Sequence, residues 1–274
     1  MRLGLRLGSA AVLLVALAGA MLARGPLLDA LAAAALVVAC WEFSGLMRRL
    51  GAEPLPWLLY PLALFLLLRH TYPASWRTLD WALGGAVVIG LIGTLVPPRQ
   101  ALDRGMARWA ASVGGALYLG LTIGYLLLVV NMPDRSVTYA FPWLVAIALG
   151  SAMVGDTAAL FVGSAIGRHR FFPSISPKKT AEGAAGSLLA TVLTWSLLAP
   201  WLTGIPVGHA IVLGVVVAVA AMGGDLVESA LKRAAGVKDS SELIPGHGGL
   251  LDRLDSLLLI GPVVYAYVVM TGLP

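Results

Sequence analysis

Apolar runs long enough to cross a bilayer follow one another along nearly the whole chain, and backbone placed in hydrocarbon by such continuous runs satisfies its polar groups as helix. Each crossing takes about 20 residues. The runs fall near residues 8–24, 27–47, 55–69, 80–97, 109–130, 139–163, 184–201, 207–231 and 253–272. With 59% apolar residues and a mean hydropathy of +0.88, the composition excludes an ordinary soluble domain. The expected fold is therefore all-α, a polytopic integral membrane protein with about nine transmembrane helices. The run 55–69 is the weakest of these, being short and containing Pro61.

The cations give an orientation. With a cytoplasmic N-terminus, nine crossings leave only Arg24, Arg69, Arg77 and Arg135 outside, so 15 of the 19 Lys and Arg residues are cytoplasmic. That asymmetry is what the positive-inside rule requires, and it predicts an extracytoplasmic C-terminus and a multi-pass location in the cell's inner, cytoplasmic membrane. A net charge of +5 is explained by topology signals and an anionic-lipid or anionic-substrate surface, so it calls for no nucleic-acid partner. The first 25 residues also resemble a secretory signal, but retaining them as a span gives the consistent charge count. Cys40, the single cysteine, has no internal disulfide partner and is expected to pack within the second run.

Two parts differ in character. Residues 1–138 read as N-terminal membrane helices, about five spans with short loops. Residues 139–274 read as a C-terminal catalytic membrane domain with chemistry-rich cytoplasmic loops at 164–183 and 232–252.

Much of the chemistry lies in GGDLVESALKRAAGVKDSSELIPGHGGLLDRLDS, residues 223–256, although only 12% of the chain is charged. Asp225, Glu228, Ser229 and Lys232 share one helical stripe, which cannot face lipid. A structural ion pair with a neighbouring helix is the plainer alternative. Gly246, Gly248 and Gly249 surround His247 just before a helix whose first turn carries Asp252 and Asp255. Glycines allow a phosphate to approach the backbone, and free N–H groups at a helix start favour anions. Asp252 and Asp255 share a face and, with Asp225 across from them, could hold hard divalent cations, while helix capping by Asp252 remains compatible with that role. Ser176, Lys178, Lys179, Thr180 and Glu182, within SISPKKTAEGAAG, form a cationic, hydroxyl-rich edge suited to phosphates or a basic juxtamembrane patch. Asp156 and Glu42 are further acids within apolar runs; a helix–helix hydrogen bond serves Glu42 as well as a substrate role does. Together these features point to phosphoryl or nucleotidyl transfer onto a lipid headgroup, with carboxylates for Mg²⁺ and cations for phosphates.

Residues 229–255, SALKRAAGVKDSSELIPGHGGLLDRLD, closely resemble the signature of the phosphatidate cytidylyltransferase (CDP-diacylglycerol synthase) family. GDTAAL from Gly155 and SPKKTAEG from Ser176 are similar to its second region, and WEFSGL around Glu42 is a weaker match. Ala158 stands where many members of the family have Gly, and Leu160 in place of an aromatic residue. The resemblance implies CTP and phosphatidic acid as substrates, CDP-diacylglycerol and pyrophosphate as products, Mg²⁺ as cofactor and a homodimer. It implies metal ligation by Asp225 and Asp252. Lys232, Arg233, Lys238, Asp239, His247, Arg253 and Asp255 then fall in the catalytic signature, while Ser176, Lys178, Lys179, Thr180, Glu182, Ser229, Gly248 and Gly249 fall in the substrate-binding set. A CTP-dependent polyprenol or dolichol kinase is the nearest enzymatic alternative, needing a stronger general base for a lipid alcohol. A lipid or anion transporter is the non-enzymatic one.

Overall fold

The structure, a computed structural model, describes residues 25–69, 77–94, 102–132, 142–244 and 248–273, together with Gly19 and Leu22. Its helices are α1 (Gly25–Arg49), α2 (Pro56–Leu68), α3 (Arg77–Gly93), α4 (Leu102–Gly115), α5 (Thr122–Asn131), α6 (Trp143–Ile166), α7 (Ala181–Leu202), α8 (Val207–Ala234) and α9 (Leu251–Thr271). A π-helical turn, Ala116–Leu121, joins α4 and α5 into one rod. Among the described residues the only β-pairing is two isolated bridges, so the all-α expectation holds.

Among the described residues six helices have the length and composition to cross a membrane: α1, the α4–α5 rod, α6, α7, α8 and α9. The run 8–24 lies outside the described residues save for positions 19 and 22. The run 55–69 becomes α2, only 13 residues long, with Pro56 in its first turn, where a missing N–H is harmless, and Pro61 inside it. The run 80–97 contributes to α3, 17 residues long.

The chain divides into two compact units, residues 1–127 with 231–252, and residues 128–230 with 253–274. In the first, small residues let helices approach closely. A side chain at Gly115 would run into the Phe43 ring, and one at Gly120 into the backbone of Ala63, so the π turn falls where α1 and α2 press on the rod. Leu55 N–H donates to Ser112 Oγ at 2.7 Å, and the Trp109 indole donates to Val87 O at 3.0 Å.

In the second unit α6 and α7 form an antiparallel hairpin. Buried Trp195 donates to Ser151 Oγ at 3.0 Å, Thr191 Oγ1 donates to Ser151 O at 3.3 Å, and Gly155 faces the Ser187 and Thr191 hydroxyls. Such small and hydroxyl residues supply the close packing that apolar burial cannot supply between helices in lipid. Gly214 of α8 packs against Val192 and Trp195, and Gly224 against the backbone of Asp255 and Ser256, which sets α8 antiparallel to α9. At the far end of that pair His209 Nδ1 and Tyr267 OH are 2.9 Å apart.

Candidate functional site

Two clusters carry the candidate residues, one in each unit. In the second unit, α6 ends at Gly167 and the chain turns back through a loop closed by the Arg170–Thr180 bridge, with Phe171 N–H donating to Lys179 O and Ala181 N–H to His169 O, both at 2.9 Å. Thr180 caps α7 by accepting from Gly183 N at 3.1 Å. Glu182, in the first turn of α7, pairs with His169 Nδ1 at 2.6 Å and accepts from Arg168 N and His169 N. Thr180 and Glu182 therefore hold the loop in shape, and Gly183 is small because a Cβ there would lie 2.8 Å from Ala159 O.

The shaped loop roofs a cavity of about 600 Å³. Arg170, Lys178 and Lys179 bring positive charge to its wall, Asp156 and Asp225 bring carboxylates, and Leu160, Met222 and Leu226 supply an apolar side. Lys179 Nζ sits 2.5 Å from Asp225 Oδ2, while Ser229 Oγ donates to Asp225 Oδ1 at 3.2 Å. Asp156 is within electrostatic reach of Asp225, Asp255 and Lys179. A cavity with cations, acids and an apolar flank is chemically matched to an amphiphile bearing phosphate.

In the first unit, Lys232 and Asp252 form a buried ion pair, Nζ to Oδ1 at 2.6 Å, with side chains 11% and 5% exposed. The other oxygen, Asp252 Oδ2, accepts from Ser240 N at 2.9 Å, Ser240 Oγ at 2.8 Å and Gly249 N at 2.7 Å. Glu42, on α1 and 2% exposed, accepts from Ser241 Oγ and Leu250 N through Oε1 and from Leu251 N through Oε2, at 2.6, 2.9 and 2.6 Å. This corrects one expectation. The N–H groups of residues 249–251 are not free for a phosphate, because two carboxylates of the same unit already accept them.

The remaining signature residues are dispersed. Arg233 Nη1 donates to Val237 O at 3.0 Å, satisfying a carbonyl beyond the end of α8. Lys238, Asp239 and Arg253 are exposed, and Asp255 Oδ1 accepts from Ser256 N at 2.6 Å. Ser176 closes a turn through its N–H to Phe172 O at 2.9 Å. Gly248 has φ +81° and leaves the space into which a Cβ would meet Asp252. His247 lies outside the described residues.

Among the described residues no three His, Cys, Asp or Glu side chains converge into a ready-made metal cage. Mg²⁺ does not require one, since it is usually held by one or two carboxylates plus substrate phosphates and water. The cavity-lining carboxylates of Asp225 and Asp156 are hard oxygen donors of the right kind, so this donor set fits that ion. Two participants carry no distinctive sequence signal. Arg170 reads as one more topology cation, and the partners of Glu42 lie about 200 residues away along the chain.

Comparison with known proteins gives a concordant picture. The profile described as the cytidylyltransferase family matches residues 5–271. A phosphatidate cytidylyltransferase of Bacillus subtilis (strain 168) is 38% identical over 152 residues, 55% of this chain and 54% of that protein. One from Synechocystis sp. (strain ATCC 27184 / PCC 6803 / Kazusa) is 44% identical over 131 residues, 45% of this chain and 42% of its own. The uncharacterized protein YnbB of Escherichia coli (strain K12) is 38% identical over 125 residues, 46% of this chain and 42% of its own. The aligned region thus spans about half the length of these curated relatives.

Proposed function

The chain belongs to the cytidylyltransferase family, and on that premise we propose that it is a phosphatidate cytidylyltransferase, converting CTP and phosphatidic acid to CDP-diacylglycerol and pyrophosphate at the cytoplasmic membrane face. The observation that carries this reading is the cavity of the second unit, where Arg170, Lys178 and Lys179 stand beside Asp156 and Asp225 against an apolar wall, on helices of membrane-crossing length. Relatives bearing that activity in their names support it. Nine spans with a cytoplasmic N-terminus would bring loops 164–183 and 232–252 to the nucleotide's side of the membrane. A homodimer belongs to the same reading through the family resemblance.

In this mechanism a phosphate oxygen of phosphatidic acid attacks the α-phosphorus of CTP in line. The bond from the α-phosphorus to the oxygen bridging the β-phosphorus breaks, and pyrophosphate leaves with the electron pair. Arg170, Lys178 and Lys179 neutralise phosphate oxygens, while Thr180 and Glu182 keep those cations in place. Lys232, Arg233, Lys238, His247 and Arg253 orient the nucleotide phosphates by analogy with the signature. Asp225, which lines the cavity with Asp156, would hold Mg²⁺, with Asp252 assigned as a ligand only by analogy with the signature; the ion would supply charge neutralisation on the transferring group and on pyrophosphate. The attacking group is already an anion, so no strong general base is needed. Mass spectrometry of the products tests the reading: CDP-diacylglycerol and pyrophosphate formed together support it, whereas CDP with a phosphorylated lipid alcohol would replace it by the kinase.

A further inference from the structure

Glu42 is a buried acid that the mechanism leaves unused, and its surroundings are specific. It lies in the interior of α1, 2% exposed, in a helix of membrane-crossing composition. A carboxylate at such a place is costly unless it is well satisfied. Among the described residues, its hydrogen-bond donors all come from one stretch about 200 residues further along: the hydroxyls of Ser240 and Ser241 and the N–H groups of Leu250 and Leu251. Among the described residues no cation donates to it. The carboxylate therefore ties residues 240–241 to residues 250–251 and supplies the anion that the start of α9 favours.

The clasp leads directly to the proposed chemistry. Ser240 Oγ lies 3.2 Å from Glu42 Oε2 and 2.8 Å from Asp252 Oδ2, and its single proton is held between the two carboxylates, nearer Asp252. Asp252 in turn carries Lys232. Gly249 completes the fit, since a Cβ there would meet both Ser240 Oγ and the Glu42 carboxylate. Capping α9 alone does not require such an arrangement, because a Ser, Thr, Asp or Asn in the loop itself would cap it without burying a charge on another helix.

We infer that Glu42 is a positioning residue for cytidylyl transfer: by clasping residues 240–241 and 250–251 to α1 it sets the orientation of Asp252 and Lys232. The inference rests on the proposed function for its catalytic half, while the clasp itself is a matter of structure. Displacing a catalytic group by about 1 Å can cost on the order of 100-fold in rate. Glu42→Gln keeps the size of the side chain but turns one acceptor oxygen into an NH₂ that faces N–H and O–H donors.

The test uses the full chain purified in detergent, comparing wild type, Glu42→Gln, Glu42→Asp, Ser241→Ala and, as a control on the same helix, Ser44→Ala. Hydrogen exchange of the peptide carrying residues 249–252, melting temperature, and kcat and KM per folded molecule are read together. Glu42→Gln is expected to speed exchange at 249–252 about tenfold or more and to lower kcat by about 10- to 100-fold. The KM for phosphatidic acid should stay near that of wild type. Glu42→Asp and Ser241→Ala should fall between, and Ser44→Ala should match wild type. Unchanged exchange in Glu42→Gln overturns the clasp. Faster exchange with wild-type kcat overturns the positioning role, as does activity lost only in proportion to unfolded protein. Absence of product from the wild-type chain defeats the assigned reaction, and the catalytic half of the inference with it; the exchange result then decides the clasp alone.

Discussion

Replacing Lys232 by Met removes one half of the most enclosed ion pair described in the first unit while keeping most of the side chain's bulk. Lys232 Nζ and Asp252 Oδ1 are 2.6 Å apart, with side chains only 11% and 5% exposed, so water cannot take over from the lost ammonium. Breaking such a pair costs about 3–5 kcal/mol when the remaining charge is left uncompensated. Here Asp252 keeps Ser240 N, Ser240 Oγ and Gly249 N as donors, which lowers the expected loss to about 2–4 kcal/mol. Asp252→Asn should cost a comparable amount, and the double variant should be less destabilised than the sum of the singles by about 2 kcal/mol, because the second change removes the charge the first left stranded. The Arg48–Glu53 pair provides the contrast. At 2.8 Å it is only slightly longer, but its side chains are 67% and 43% exposed, so Arg48→Met should cost about 0–1 kcal/mol, less at high salt. Denaturant titration in mixed micelles, followed by tryptophan fluorescence, measures all four variants. A Lys232→Met loss below about 0.5 kcal/mol, or singles that add within about 0.5 kcal/mol, would refute the reasoning.

Two other perturbations probe the second unit. Gly155→Val would place a Cβ 2.6 Å from Thr191 Oγ1 and 2.8 Å from Ser187 Oγ, so α6 and α7 must part. The expected loss is about 1–3 kcal/mol, whereas Gly150→Ala, at an open position of α6, should be neutral or stabilising by up to about 1 kcal/mol; equal effects in the same titration would contradict the packing account. Arg170→Gln removes a cavity-lining cation that also donates to Pro177 O at 2.8 Å. Steady-state kinetics should show KM for an anionic substrate raised about 5- to 20-fold, roughly one charge-assisted hydrogen bond, and an unchanged KM for both substrates would remove Arg170 from the site.

Most of the helices are legible because a bilayer imposes one simple rule, a long apolar run for each crossing. The rule is blunt where runs are short: 55–69 folds as the 13-residue α2 with Pro61 inside. The π turn at Ala116–Leu121 leaves no mark in composition, because it depends on where Phe43 and the Ala63 backbone press on Gly115 and Gly120. The signature stretch is legible as chemistry, since Lys, Asp and Gly concentrate there against an apolar background. Its hydrogen-bond economy is not, because the acceptor of the Leu250 and Leu251 N–H groups is Glu42, a residue with no local pattern connecting it to them. Thr180 and Glu182 illustrate the same limit: the sequence marks them as polar neighbours of two lysines, and the fold uses them to cap α7 and to grip His169.

The central claim is that carboxylates of this chain support CTP-dependent transfer to phosphatidic acid, and Asp225→Asn and Asp252→Asn in a labelled-nucleotide assay test it most directly. With purified protein, Mg²⁺ and CTP labelled at the α-phosphorus, wild type should move label into the organic phase only when phosphatidic acid is present, releasing pyrophosphate in equal amount. Either variant should lose at least about 100-fold of that rate while still inserting into the membrane. Near-wild-type transfer in either variant would contradict its metal-binding role, and a wild-type chain that leaves all label in the aqueous phase would contradict the account as a whole.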